Sequence, residues 1–361
     1  LPIFGSVDFQ RGQARAIISI VSNQPEWDWT QDQVESLGKL RRFLDVREMR
    51  AAPASSFASP EFLREMLPSD GNTHHKQTRE IARALRENKG AVNTWGTEDF
   101  SSMGRAASGL EVQDLEMLDP TVVQGAIADI ADAEFSPRQR RILVKKYKKA
   151  RGNLRSVSAA EVREMKGLAV GLSTSVIADM DPGDIRESVE VFAKNAKKMK
   201  RTQKREIINQ LRNAPGGIED AIQDMGDMVK ELPLRELDSL CTANFTATAD
   251  QNSTEMAAAG RMNWTKGQSM KLFRCFKREV LGSGEEGESS VEALTPSTIR
   301  YMGSMAKGMT CKDIKRFVAD DIIPTVKAMM EQEGWSARQL ACTHRKVKDS
   351  LSQRHSDFTA D

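Results

Sequence analysis

The segment VREMKGLAVGLSTSVIADMDP, residues 162–182, contains a spacing of apolar residues that occurs three more times in the chain. Apolar residues stand at its first, fourth and eighth positions, and a glycine follows two residues later in three of the four copies. The copies begin at Phe100, Val162, Ile222 and Ile299, so successive starts lie 62, 60 and 77 residues apart. A recurring period of this length is typical of proteins whose repeats pack on one another.

The spacing within each copy predicts a short helix followed by a second short element. Positions one, four and eight lie on one face of a helix. The glycine that follows, at Gly109, Gly171 and Gly308, predicts a left-handed residue that ends the helix. In the third copy Glu231 stands in place of glycine, and we expect Pro233 to end the helix there.

A second pattern, an aromatic residue, then Ser or Thr, then Gln three residues later, predicts helix starts. The hydroxyl caps the first turn, and the aromatic residue packs against that turn. The copies are Trp29-Thr30 with Gln33, Phe135-Ser136 with Gln139, Trp264-Thr265 with Gln268, and Trp335-Ser336 with Gln339. Thr202 with Lys204-Arg205 is a weaker copy without the aromatic residue.

A third helix lies between these two patterns, and it is clearest in the stripe Ile185, Val189, Phe192, Ala196 and Met199. Capping residues followed by proline predict further helix starts, at Ser59-Pro60, Asp119-Pro120, Ser136-Pro137, Asp181-Pro182 and Thr295-Pro296. No β alternation of comparable length occurs. We therefore predict an all-α fold, a right-handed superhelical armadillo-like solenoid of three-helix repeats of about 60 residues.

The repeats divide the chain into segments. Residues 1–96 are predicted to be a divergent leading unit with helices near 30–50, 60–66 and 76–88. The predicted repeats are near 97–157, 158–217, 218–293 and 294–349, and residues 350–361 form a polar tail.

Composition favours a helical protein without indicating a class of ligand. The 361 residues have 39% hydrophobic content and a net charge of +2, which gives no general attraction to nucleic acid or membranes. No motif for a nucleophile, a phosphate cradle or a cofactor occurs, so we expect neither an enzyme nor a cofactor. Asp179, Asp181 and Asp184 lack calcium-loop spacing and suit helix capping. The four histidines, at 74, 75, 344 and 355, lack zinc-ligand spacing.

Cysteines and glycosylation sequons favour a secretory protein. Sequons occur at Asn244, Asn252 and Asn263. The cysteines are Cys241, Cys275, Cys311 and Cys342, and four cysteines allow three pairings. Separations of 34 and 31 residues favour Cys241–Cys275 and Cys311–Cys342, with free buried thiols as the alternative.

Charge is segregated along the middle of the chain. Residues 111–134 contain seven acidic and no basic side chains, whereas residues 138–155 contain nine basic and no acidic ones. One interpretation is a basic surface for an acidic partner, such as a sulfated glycan, a mucin or a neighbouring molecule. The other is a solvated face paired with the acidic helix. The candidate residues for acidic-partner binding are Arg138, Arg141, Lys145, Lys148, Lys197, Lys198, Arg201, Lys204 and Arg205.

The chain resembles the mesothelin, stereocilin and otoancorin superfamily over about residues 97–346. The resemblance is carried by the segment 165–180, with its Met-x-x-x-Ala-x-Gly-Leu-Ser core and the following Asp181-Pro182, by the segment 302–317, and by the helices beginning at Trp264 and Trp335. It implies superhelical repeats, secretion, N-glycosylation, frequent glycolipid anchoring, and roles in adhesion, mucin binding or attachment of extracellular gels. The cysteine that family members often carry before the glycine is absent.

We therefore expect a secreted or cell-surface glycoprotein that works in cell adhesion or extracellular-matrix assembly. Its partner would be a protein or glycoprotein, with self-association into a larger assembly as a further expectation. Nucleic acid is not an expected partner, and membrane association is expected only through an anchor. The alternative is an intracellular armadillo-type scaffold.

Overall fold

The computed structural model describes residues 9–59, 62–63, 75–152, 156–238, 240, 259–279, 294–318 and 320–357. All regular elements in these residues are helical, and these residues contain no strand, which confirms the all-α prediction. The chain divides into two compact units, residues 1–181 and 182–361.

The α-helices of the first unit are mostly short, with two long members. Their bounds are α1 (Arg11–Ser22), α2 (Gln31–Ser36), α3 (Val46–Ala51), α4 (His75–Lys89), α5 (Thr97–Ser102), α6 (Val112–Met117), α7 (Pro120–Ile130), α8 (Pro137–Arg151), α9 (Ala159–Met165) and α10 (Thr174–Ala178).

The second unit continues the same alternation of short and long helices. Its bounds are α11 (Pro182–Lys194), α12 (Arg201–Asn213), α13 (Gly217–Ala221), α14 (Lys266–Glu279), α15 (Pro296–Met302), α16 (Cys311–Lys315), α17 (Ile322–Met330) and α18 (Ala337–Asp357).

Five six-residue 3-10 helices mark the period of the structure. They span Gly38–Phe43, Gly104–Gly109, Lys166–Gly171, Gly226–Glu231 and Gly303–Gly308. Each follows a buried Leu or Met at residue 37, 103, 165, 225 or 302. The prediction of one helix over the first eight positions of each copy is therefore wrong, because an α-helix ends at the methionine and a 3-10 helix begins with the next residue.

Left-handed backbone occurs at the start of these 3-10 helices and not at their end. φ is +51° at Gly38, +48° at Gly104, Gly226 and Gly303, and +41° at Lys166. Gly109, Gly171 and Gly308 have no positive φ, so the prediction of left-handed caps at these glycines is wrong.

The glycine at the end of the 3-10 helix is required by close backbone approach. A Cβ at Gly171 would lie 2.9 Å from the carbonyl oxygen of Arg140 and 2.8 Å from Cγ2 of Val144. At Gly109 and Gly308 a Cβ would clash directly with the carbonyls of Thr78 and Ser269. The 3-10 helix therefore packs backbone against backbone on the long helix that precedes it.

The glutamine that follows each capping residue joins its helix to a 3-10 helix. Gln139 accepts a 2.7 Å hydrogen bond from the Ser136 amide, and its Nε2 donates to the carbonyls of Ser108 (2.9 Å) and Leu110 (2.7 Å). The same donations run from Gln77 to Arg42 and Leu44, from Gln268 to Val229 and Leu232, and from Gln339 to Lys307 and Met309.

The predicted capping boxes are present at Thr30, Ser136, Thr265 and Ser336. The preceding tryptophans are fixed by their indoles, since Nε1 of Trp264 donates to Ala259 and that of Trp335 donates to Met329, both at 2.8 Å. The weaker copy was placed wrongly, because α12 begins after Lys200 and its box glutamine is Gln203.

In the leading segment, α4 confirms the helix predicted near 76–88. The helix predicted near 30–50 is instead three elements, α2, the first 3-10 helix and α3, because Gly38 interrupts it. Of the helix predicted near 60–66, only residues 62–63 are among the described residues. The sequence analysis missed α1.

Substitution of Gly308 by Ala tests the backbone approach. The added Cβ would meet the Ser269 carbonyl, so we expect a loss of at least about 2 kcal/mol in the free energy of unfolding. Gly12→Ala is the matched control, because nothing lies within 4 Å of its Cβ and alanine favours the helix by about 0.5–1 kcal/mol. Urea unfolding measures both variants. An unchanged Gly308→Ala protein would contradict the close approach.

Substitution of Lys166 by Gly should stabilise the chain. Lys166 occupies a left-handed position that is glycine in the four other 3-10 helices, and relief of this backbone strain should contribute about 1 kcal/mol. Its 2.7 Å ion pair with Asp132 is half exposed and contributes little. Lys166→Ala removes the same pair but keeps the strain. A melting temperature no higher for Lys166→Gly than for Lys166→Ala would contradict this account.

Candidate binding surfaces

The first surface is the basic face of α8, formed by Arg138, Arg141, Lys145 and Lys148. Separations of three, four and three residues place these side chains on one side of the helix. Lys148 is half-buried and the other three are exposed. None of the four makes an ion pair with another described residue.

The neighbouring acidic segment is occupied by other partners. Asp114 pairs with Arg86 at 3.1 Å, and Asp132 pairs with Lys166 at 2.7 Å. Asp119 accepts a 2.8 Å hydrogen bond from the Thr121 amide and caps α7. The interpretation in which the basic face pairs with the acidic helix is therefore wrong for all four residues of the basic face.

Lys146, on another side of α8, does reach the acidic segment, but it binds backbone. Its Nζ donates to the carbonyls of Glu116 (2.6 Å) and Leu118, where α6 ends. Burial, with the like charge of Lys149, lowers the pKa of Lys146. A lysine at the carboxyl end of a helix stabilises that end, so the role of Lys146 is structural.

The second surface is an open groove of about 480 Å³ in the second unit. One wall is the face of α12 that carries Arg201, Arg205 and Arg212. The floor contains Leu234, which is 51% exposed, and the opposite wall is the start of α14. We call it the basic groove. Its full lining is Arg201, Arg205, Ile208, Asn209, Arg212, Lys230, Glu231, Leu232, Pro233, Leu234, Arg235, Thr265, Gly267 and Gln268.

The basic groove has a strong excess of positive charge, because five of its lining residues are basic and only Glu231 is acidic. Arg201 and Lys204 pair with Glu231 at 2.8 and 3.0 Å. Burial alone would raise the pKa of Glu231, but the hydrogen bonds from Lys204 and Arg201 outweigh it and lower that pKa.

Two arginines of the groove retain free hydrogen-bonding capacity. Arg205 is exposed and makes no ion pair with any residue that the structure describes. Arg212 pairs with Glu236 at 3.0 Å, yet its Nε is buried without a hydrogen-bond partner. The groove can therefore accept an anion without first breaking all of its internal pairs.

Sequence reasoning found only part of the basic groove. Arg201 and Arg205 line it and Lys204 pairs beside it, whereas Lys197 and Lys198 are exposed on the 3-10 helix Ala196–Lys198 and do not line it. Arg212, Lys230 and Arg235 were missed, as was Leu234. The spacing of Arg201, Arg205 and Arg212 by four and seven residues was a detectable signal for one shared helix face.

One predicted glycosylation site can be located. Asn263 is exposed, and its Nδ2 donates to Oδ1 of Asp227 at 3.3 Å. Asn244 and Asn252 lie outside the described residues.

The predicted pairing of Cys311 with Cys342 is confirmed, with a Cα–Cα distance of 5.6 Å. It joins α16 to α18. Cys275 is buried and disulfide-bonded, and Cys241 lies outside the described residues.

Other types of site find no support in the part of the chain that the structure describes. It contains no group of three or more metal-ligating side chains. None of its helices has the length and apolar character needed to cross a membrane. A second groove, of about 680 Å³ beside α4, contains several arginines, but Arg50 and Arg83 both pair with Glu80 there.

Comparison of the chain with family models, with curated proteins and with solved structures finds no match.

Replacement of Glu231 by Gln tests the central ion pair of the groove. Because the folded-state pKa of Glu231 is lowered, its contribution is full above the unfolded pKa of about 4.3 and is lost as the pH falls through the lower folded value. We expect Glu231→Gln to cost about 1 kcal/mol at pH 7, with the difference from wild type closing by about pH 3.

Urea unfolding at pH 7 and pH 3 measures this effect. The control is Glu333→Gln, which changes an exposed glutamate that makes no ion pair with a described residue. A cost for Glu231→Gln that is equal at both pH values would contradict the electrostatic origin.

Proposed function

We propose that this protein is an extracellular adhesion or matrix-assembly module that binds an anionic glycoprotein or sulfated glycan through basic surfaces on its helical repeats. The observation that carries the proposal is the absence of intramolecular ion pairs on the basic face of α8. Of the nine predicted binding residues, only Arg201 and Lys204 form ion pairs with other described residues.

Charge on a protein surface is ordinarily balanced by neighbouring charges of opposite sign, and separated charges are screened over about 10 Å at 0.1 M salt. The basic face has acidic side chains close in sequence, yet these are held by Arg86, Lys166 and a helix cap. Four cations left in one row match the repeating negative charge of a sulfated chain. Attraction of this type is long-ranged and accelerates association.

The basic groove supports the same partner class in the second unit. Its arginines offer planar, multiple donors that suit sulfate and carboxylate groups. The exposed Leu234 adds an apolar contact on the floor. A sugar chain or a glycosylated peptide offers both kinds of group, since its ring faces are less polar than its anionic substituents.

Secretion, the solenoid and the likeness to mesothelin-type proteins belong to this proposal. The right-handed armadillo-like stacking is favoured by the regular spacing of the 3-10 helices. The extracellular setting is favoured by the exposed Asn263 sequon and by the Cys311–Cys342 disulfide, since disulfides persist in oxidising compartments.

Binding to immobilised heparin, measured from 50 to 500 mM NaCl, tests the proposal. We expect the full chain to bind with a steep dependence of log K on log salt, because a bound polyanion releases its counterions. Changing Arg138, Arg141, Lys145 and Lys148 together to Gln should make that slope shallower by roughly 3, at about 0.7–0.9 per lost contact.

A second variant with Lys312, Lys315, Arg316 and Lys327 changed to Gln is the control. It removes the same four charges from exposed positions without ion pairs to described residues. Adding Arg205→Gln and Arg235→Gln to the α8 variant should weaken binding further. Absence of binding at 50 mM NaCl, salt-insensitive binding, or an equal loss in the control would each contradict the proposal.

A further inference from the structure

The long helices of this chain share a stripe that binds the next 3-10 helix along the chain. The stripe begins one residue after the box glutamine and continues at the fifth residue after it. Arg140 and Val144 of α8 face Gly171, and Ser269 and Phe273 of α14 face Gly308. In α4 the stripe residues are Thr78 and Ala82, in α12 they are Lys204 and Ile208, and both α4 residues and Ile208 are buried.

The same stripe continues with a basic residue at the ninth position after the glutamine. Arg86 pairs with Asp114 (3.1 Å), Arg212 with Glu236 (3.0 Å) and Lys277 with Asp313 (2.7 Å). Each of these acids stands eleven residues after the methionine that precedes the following 3-10 helix, at Met103, Met225 or Met302. The junction therefore has a fixed register as well as an apolar contact.

The last long helix, α18, carries the same stripe without a partner among the described residues. The residues one, five and nine positions after Gln339 are Leu340, His344 and Lys348, and all three are exposed. Leu340 is 41% exposed, whereas Thr78, Arg140 and Ser269 at the equivalent position are no more than 9% exposed.

Two residues of α17 extend this exposed face. Ile323 and Met330 are 52% and 50% exposed. Their counterparts one repeat earlier, 137 residues before them, are Arg186 and Ala193 of α11. Arg186 pairs with Asp224 at 3.0 Å, and Ala193 lies 3.5 Å from a Cβ built at Gly226, so both contact the segment of the following 3-10 helix.

We propose that the end face formed by Ile323, Met330, Leu340, His344 and Lys348 is a docking surface for one more repeat segment of the kind found in this chain. The occupant is a 3-10 helix followed by a short α-helix with an acidic residue eleven positions after its leading methionine. Glycine at the end of its 3-10 helix would lie against the backbone at Leu340, and its acid would pair with Lys348.

Continuity with the junctions already present in the chain supports this occupant over an unrelated apolar partner. The face repeats the apolar positions, the basic position and their spacing, and the Cys311–Cys342 disulfide holds α18 on α16. The inference rests on the repeat junctions and not on the anion-binding surfaces, so heparin binding and docking at the end face can fail independently.

A tethered copy of a repeat segment tests the proposal in the full chain. Residues 96–134 are appended after residue 361 through a Gly/Ser linker of about 20 residues, whose average span of roughly 25 Å is comparable with the ~20 Å of helix between residues 344 and 357. Such a tether gives an effective concentration near 1 mM. We expect hydrogen exchange at the amides of residues 340–348 to be about tenfold slower than in the chain with the linker alone.

Charge reversal tests the register. Lys348→Glu in α18, or Asp114→Lys in the appended copy alone, should each remove at least half of the gained protection, and the two together should restore it. Lys346→Glu, on another side of α18, is the matched control. No gained protection, or protection that the reversals leave unchanged, would overturn the proposal.

A second outcome would assign the face to another occupant. Sedimentation of the unextended chain could detect a dimer that Leu340→Glu abolishes. If that dimer forms and the tethered segment gives no protection, the end face binds a second copy of the chain and the proposal is overturned.

Discussion

The amide of the glutamine at the third position of a long helix is the interaction on which the rest of the repeat depends. Its oxygen satisfies a free N–H at the start of its own helix, and its nitrogen satisfies two carbonyls where the preceding 3-10 helix ends, as in Gln139 with Ser108 and Leu110. Both helix ends carry groups that their own helices cannot pair, and a buried group left unpaired costs about 1–3 kcal/mol. One buried side chain thus fixes the position of a long helix relative to the 3-10 helix before it.

The remaining constraints follow from that position. With its glutamine held by one 3-10 helix, the long helix presents its stripe to the next, and their backbones approach so closely that only glycine fits at Gly109, Gly171 and Gly308. The third junction of this kind, at Glu231, is different, because a side chain occupies the glycine position and is bound by Arg201 and Lys204. Direct backbone packing and a side-chain ion pair are therefore alternative solutions at one position of the repeat.

The sequence predicted the helical class, the period and the capping boxes, because these depend on local residue spacing. It did not predict which glycine is left-handed. Both Gly104 and Gly109 suit a helix end, and the choice between strain and close approach depends on the long helix that packs there. The second candidate surface was predicted only in part for the same reason. Arg201 and Arg205 share a helix with recognisable spacing, whereas Leu234 and Arg235 join them through tertiary packing.

The repeat also separates charges that hold the fold from charges that are free to bind. The ninth residue after the glutamine is basic in α4, α8, α12 and α14, and in three of these helices it pairs with an acid of the next short helix. In α8 the basic residue is Lys148, but the position that would supply the acid is Val176, which is buried and cannot pair. Lys148 therefore joins Arg138, Arg141 and Lys145 on the basic face, because one substitution at a junction converts a structural cation into a free one.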